Sequence, residues 1–145
     1  MSPSPNKAAI LRLLSNTTDL STVREIVAPG ATYVSLAFEN PDLKAIEPWC
    51  GIHKNVGPEG VHEVFVQVNR AWEVEVFDIH TALADGETKE VAVFGRFRFV
   101  SRGLGKVTDS PFAVLARFGR DGEEEGKVVY MQFLEDTLST AGSLR

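Results

Sequence analysis

A chain of 145 residues with a formal net charge of −5 is long enough to bury a core within one domain. Its 43% hydrophobic and 24% charged residues are ordinary for a soluble globular protein, and the negative balance argues against a sequence-independent grip on nucleic acid. No apolar run approaches bilayer length, the opening MSPSPNK lacks a signal peptide's apolar core, and the single cysteine, Cys50, excludes an internal disulfide, so a cytoplasmic enzyme or binding protein is expected.

Residues 1–5 are rich in Pro and Ser and are expected to be disordered, leaving 6–145 as a single domain. Asn6 is positioned to cap a helix to about Leu14, with Ile10, Leu13 and Leu14 on its apolar side. A second short helix is predicted over 20–27, stopped by Ala28-Pro29-Gly30. The β-rich ATYVSLAF follows, with Tyr33 and Ser35 on one face. Residues 39–57 then read as a long irregular stretch, the kind often functional in a compact domain. It carries Trp49, Cys50 and His53.

Gly57-Pro58 opens a third helix with proline in its first turn, and Val61, Val64, Phe65, Val68 and Trp72 recur at helical spacing. From Glu73 the period becomes alternating. Strands are predicted at about 73–84, 88–101, 109–119 and 127–137, separated by turns at Asp85-Gly86, 102–105 and 121–126. Helices first and an antiparallel meander after imply an α+β domain. In the last strand, KVVYMQFLEDT, one face carries Val129, Met131, Phe133 and Glu135, an apolar row ending in a carboxylate.

This element order resembles the cone of the nuclear transport factor 2-like superfamily, which includes ketosteroid isomerases and SnoaL-like polyketide cyclases. YVSLAFENPDLK, PWCG, GPEGV before a helix, VFGRF, SPF and YMQFLEDT look like stretches of SnoaL-like proteins. The resemblance implies a cone-shaped, curved, mainly antiparallel sheet with three helices from the N-terminal half on its concave side. It covers nearly the whole chain from residue 6, and it carries fold more than activity. Laid on this chain, the isomerase tyrosine falls near Leu11, its base near Ser35 and its second acid near Val114. None of these side chains supplies the required group, which argues against steroid isomerisation by that mechanism. The resemblance also turns Tyr33, Ser35, Trp72, Val74, Val76, Asp78 and His80 inward, with Val93, Gly95, Phe97, Phe112, Val114, Met131, Phe133 and Glu135.

Glu135 is the first candidate acid or base, because a carboxylate ending an apolar row is desolvated and its pKa rises toward neutrality. The bland alternative is an ion pair or backbone contact at the rim. Asp78 and His80 project from one strand face and form a possible carboxylate–imidazole pair, or simply a polar strand end. His53 offers a loop acid or base at the mouth, against a solvated histidine. Tyr33 is placed to donate to a carbonyl or enolate oxygen, or to satisfy its hydroxyl on backbone. Trp49, Ser35, Phe65, Trp72, Phe97, Phe112, Met131 and Phe133 are the candidate ligand-binding residues.

Cys50 has no supporting motif as a nucleophile, and His53, His62 and His80 lack metal-ligand spacing, so neither metal nor cofactor is expected. RGLGK at 102–106 reads as a hairpin turn rather than a phosphate loop. The leading expectation is a cofactor-independent acid–base enzyme acting on a small apolar organic molecule, as an isomerase, cyclase, dehydratase or hydrolase. The alternative is a non-catalytic binding or interaction module. A homodimer through the sheet is expected, with neither nucleic acid nor membrane as partner.

Overall fold

The structure, a computed structural model, describes residues 4–145. Most of residues 1–5 lies outside that range, but Ser4 and Pro5 do not fray. Ser4 accepts the Lys7 N–H at 3.3 Å and Pro5 begins α1 (Pro5–Leu14), so the cap is Ser4 rather than Asn6. Asp19 caps α2 (Leu20–Ile26), accepting the Ser21 N–H at 3.2 Å.

The chain then enters β1 (Val27–Ser35) directly. Ala28-Pro29-Gly30 therefore belongs to a strand, because Val27 is drawn into register with Val128. β1 is followed by Leu36, a bulky residue held at φ 68°. That left-handed conformation is uncommon without glycine and marks local strain.

The stretch 39–57 is less irregular than its composition predicts. Asn40 caps the short α3 (Pro41–Lys44), accepting the Leu43 N–H at 3.0 Å, and β2 (Gly51–His53) pairs with β1. Gly57, at φ 65°, begins α4 (Gly57–Ala71); a Cβ there would lie 2.4 Å from the Pro29 carbonyl oxygen. Val61, Val64 and Phe65 bury the predicted stripe.

Four long strands follow: β3 (Trp72–Asp85), β4 (Glu90–Ser101), β5 (Val107–Phe118) and β6 (Val128–Glu135). Asp136 then caps α5 (Thr137–Gly142), an element absent from the sequence reading, which ran the last strand to Thr137. The sheet has six strands in the order β2-β1-β6-β5-β4-β3, antiparallel except for the β1–β6 pair. Its burial alternates cleanly on β4 and β5, so one face is packed and the other solvated. α1, α2 and α4 cover the packed face, sharing one core with it. This is the α+β cone that the resemblance implies. No helix among the described residues is long and apolar enough to cross a membrane.

Candidate functional site

A cavity of about 320 Å³ opens between the helices and the inner face of the sheet. Exposed Ser15 and Val74 lie at its mouth, and buried Tyr33, Ser35 and Trp49 lie deeper. Aromatic side chains make much of the wall. Trp49 meets Trp72 edge-on at 5.4 Å, Trp72 tilts on Phe99 at 5.9 Å, and Phe65 tilts on Tyr33 at 5.6 Å. A largely apolar wall with few converging polar groups is the usual makeup of a small-molecule site.

Strand pairing brings the polar groups together. β1 runs parallel to β6 with Tyr33 opposite Met131 and Ser35 opposite Phe133, and Glu135 continues the same face two residues further. The bulge in β6 falls near Val129, upstream of Tyr130, so the inward set remains Met131, Phe133 and Glu135. The Leu36 N–H donates to the Phe133 carbonyl at 2.9 Å, fixing the strained end of β1 against β6 beside the cavity.

Burial pushes the Glu135 carboxyl up to about 8. The Thr140 hydroxyl opposes that rise, and the charges of Glu47 and Asp136 add to it. Glu135 keeps some accessible surface because it faces cavity space, but its surroundings are dry enough to favour the neutral acid. Burial also raises the Tyr33 phenol, the Glu135 charge raises it further, and a hydrogen bond with Ser35 opposes both. Tyr33 is thus a neutral O–H donor near neutral pH. Together Glu135 and Tyr33 present a proton donor or acceptor and a second hydrogen-bond donor to one apolar space.

Of the other predicted site residues, Trp49, Ser35, Phe65, Trp72 and Phe133 line the cavity. Phe97, Phe112 and Met131 do not. Phe97 is packed under Phe99 at 3.9 Å, Phe112 lies between Phe77 at 4.6 Å and Phe133 at 5.4 Å, and Met131 is 1% exposed in the core. They support the wall from behind. Neither Leu11 nor Val114 reaches the cavity, whereas Ser35 does.

Asp78 and His80 are corrected outright: both are exposed on the opposite face. Register shifts between Val74 and Val76 and between Ile79 and Thr81 bulge β3, and the first turns Phe77 and Ile79 inward in their place. His53 is not in a free loop. It sits on β2 opposite Tyr33, donates from Nε2 to the Trp49 carbonyl at 2.7 Å, and stacks near Tyr33 with ring centres 6.5 Å apart. It lies behind Tyr33 and does not line the cavity. Cys50 is buried and free.

Sequence reasoning missed Phe99 and Phe77 on the wall, and Glu47 behind it. Phe99 shares the inward parity of Phe97 and was legible from alternation. Phe77 needed the bulge, and Glu47 lies between elements where no period operates. No group of three or more His, Cys, Asp or Glu side chains able to hold a metal occurs among the described residues.

The architecture is shared by many solved structures. An NTF2-like protein from Burkholderia thailandensis superimposes with TM-score 0.74 at 20% identity, covering 99% of each chain. A SnoaL-like protein from Jannaschia sp. CCS1 gives 0.68 at 17%, covering 99% of this chain and 96% of its own. TerC, co-crystallised with polyporic acid, gives 0.73 at 18%, covering 97% and 98%. The chain has the NTF2-like fold, of which SnoaL-like proteins are one branch. In sequence it is 39% identical over 125 residues to patulin synthesis protein F of Aspergillus clavatus and 36% identical to patulin biosynthesis cluster protein F of Penicillium expansum, matching 86% of this chain in each case. The chain spans about 60% of the length of these curated relatives. No family model matches it.

Proposed function

We propose that the protein is an acid–base enzyme that moves protons on a small, oxygenated, unsaturated ring compound of secondary metabolism. The observation that carries this is the meeting of Glu135 and Tyr33 in one aromatic cavity. A carboxyl poised near the working pH transfers protons in either direction. A neutral phenol beside it stabilises charge developing on a carbonyl or enolate oxygen. In this reading Glu135 is the acid or base, Tyr33 the oxygen donor, and Ser35 orients the phenol. Relatives named for patulin synthesis, a neighbour holding polyporic acid and a neighbour named as a polyketide cyclase support the substrate class. A free, buried Cys50 agrees with a reducing, cytoplasmic setting.

The test is proton exchange in heavy water with a panel of cyclic enones and quinones that includes polyporic acid. Deuterium incorporation or isomerisation by the wild type, lost in Glu135→Gln, is the expected result. Binding of a panel member with no exchange in either protein identifies a binding module instead, and turnover unchanged in Glu135→Gln removes that residue's role.

We also infer a homodimer through the outer face of the sheet. Phe94, Ala113 and Leu134 align across β4, β5 and β6 as one apolar row, with Phe94 46% and Leu134 44% exposed. Sedimentation velocity at micromolar concentration should give a dimer that Phe94→Asp dissociates; a wild-type monomer rejects the inference.

A further inference from the structure

The chain has two tryptophans, Trp49 and Trp72, and both line the cavity. Their indole N–H groups are treated differently. Trp72 donates to the Ser143 hydroxyl at 2.8 Å, and that hydroxyl donates on to the Thr140 carbonyl at 2.7 Å. Trp49 is bonded through its backbone carbonyl, which accepts from His53, whereas its indole N–H has no hydrogen-bond partner among the described residues. Nor is that N–H sealed off. Among the described residues the only side-chain polar atom both enclosed and unbonded is Glu47 Oε1. The Trp49 N–H therefore opens on accessible space, and the cavity is the space this side chain lines, since it is only 8% exposed. A buried indole N–H ordinarily has a partner, so one left open toward a cavity is matched to what the cavity holds.

The fold holds this donor still. The Glu47 N–H donates to the Leu43 carbonyl at the end of α3 at 2.7 Å, and the Cys50 N–H donates to the Glu47 carbonyl at 3.0 Å, closing the turn that carries Trp49. The Glu47 side chain, 0% exposed, accepts from the Thr140 hydroxyl at 3.3 Å and pins that turn to α5. His53 fastens the other side, donating to the Trp49 carbonyl at 2.7 Å from β2 while its ring stacks beside Tyr33. One strand thus supports both the phenol and the indole. Tyr33 packs on Phe65 and His53, and Trp49 packs on Trp72, so the two donors stand on different parts of the wall. A donor fixed in advance loses little freedom when a ligand binds.

We propose that Trp49 is a specificity-determining residue whose indole N–H donates to a second oxygen of the substrate, apart from the one at Tyr33, so that the cavity selects rings bearing two oxygen functions. This rests on the reading of the cavity given above, with the phenol as the first donor. An indole N–H donates and never accepts. It is therefore satisfied by a carbonyl, ether or hydroxyl oxygen and by neither a methyl group nor a ligand N–H. A ring with a single oxygen bonds Tyr33 and lays hydrocarbon over the Trp49 N–H, leaving that donor unpaired in a dry space. A ring with oxygen at both places satisfies both donors. Sites built around a buried donor discriminate strongly against ligands that lack its partner, more strongly than apolar walls do by shape.

The experiment is NMR of the two indole N–H groups in protein labelled with nitrogen-15 tryptophan, assigned with Trp49→Phe. Without ligand, the Trp49 indole proton should exchange with water faster than that of Trp72, which Ser143 holds. The protein is then titrated, up to the solubility of each probe, with cyclohexanone and with three rings carrying a second oxygen: cyclohexane-1,4-dione, 3-hydroxycyclohexanone and 4-hydroxycyclohexanone. At least one of these three should move the Trp49 indole proton downfield and leave that of Trp72 in place, while cyclohexanone moves neither downfield. Trp49→Phe keeps an aromatic ring in the wall and removes the N–H. The affinity of that dioxygenated ring should fall about fivefold more than the affinity of cyclohexanone, the loss expected for one hydrogen bond. Comparing the probes within each protein cancels any general loosening of the wall. Equal exchange of the two indole protons overturns the proposal, as does a Trp49 resonance unmoved by all three dioxygenated rings, or an equal loss of affinity for mono- and dioxygenated rings. Because the titration reads binding alone, the indole can bond a ligand when Glu135 exchanges no protons, and Glu135 can exchange protons with the indole unmoved, so the two readings fail separately.

Discussion

Replacing Glu135 by glutamine keeps the shape of the cavity and removes its principal titrating group. Burial holds this carboxyl at about 8 in the folded protein against an ordinary value of 4.5. Between those values the unfolded chain has released the proton and the native protein keeps it. The stability contributed by this group is therefore fully present below about pH 4.5, is lost as pH rises, and is gone above about pH 8. At pH 7 the linkage amounts to about 3.5 kcal/mol, from about 1.4 kcal/mol for each of roughly 2.5 pH units. That figure is a ceiling, because water entering the cavity screens the ionised form. Glu135→Gln should thus be more stable than wild type by about 1–3 kcal/mol at pH 7, with a melting temperature higher by about 3–10 °C. The gain should shrink to less than about 1 kcal/mol near pH 5 and disappear below about pH 4.5, where the carboxyl is neutral in both the folded and the unfolded chain. Urea unfolding followed by the fluorescence of Trp49 and Trp72 at about pH 5, 7 and 8.5 measures it. A stability difference between the two proteins that is identical at all three pH values refutes the reasoning. Stabilisation on removing a group that turnover needs would be the usual trade between activity and stability.

Tyr33→Phe should lower turnover about a hundredfold while leaving the circular dichroism spectrum intact, the loss typical of one oxyanion donor; equal turnover would remove the donor role. Asp78→Ala and His80→Ala should change stability by less than about 0.5 kcal/mol and leave turnover as it is, because the β3 bulges turn both outward. A loss of activity in either would place the bulges elsewhere. Gly95→Ala should cost about 1–3 kcal/mol in urea unfolding, since its Cβ would meet the Asp78 carbonyl oxygen at 2.0 Å and the Phe112 ring at 2.7 Å. Wild-type stability in that variant would mean that β3 and β4 are less closely paired than described.

Local pattern alone determined a good part of this protein. The apolar period of two in β4 and β5 set which side chains face inward, because the pleat of a strand is the same everywhere. The helical stripe of α4 and the carboxylate that ends β6 were legible for the same reason, as each depends only on near neighbours in the chain. Asn40-Pro41 and Asp136 were equally local signals, of a cap followed by a helix, and were readable although passed over. Tertiary structure decided the rest. Whether Asp78 or Phe77 looks into the cone depends on bulges that the curvature of the whole sheet demands, and one extra residue reverses every side chain beyond it. That Tyr33 shares a cavity with Glu135 follows from a parallel pairing of the first long strand with the last, and that Glu47 is tied to Thr140 follows from how α5 docks. Chemistry here arises where distant segments converge, and such convergence is a property of packing that no single window of the chain contains.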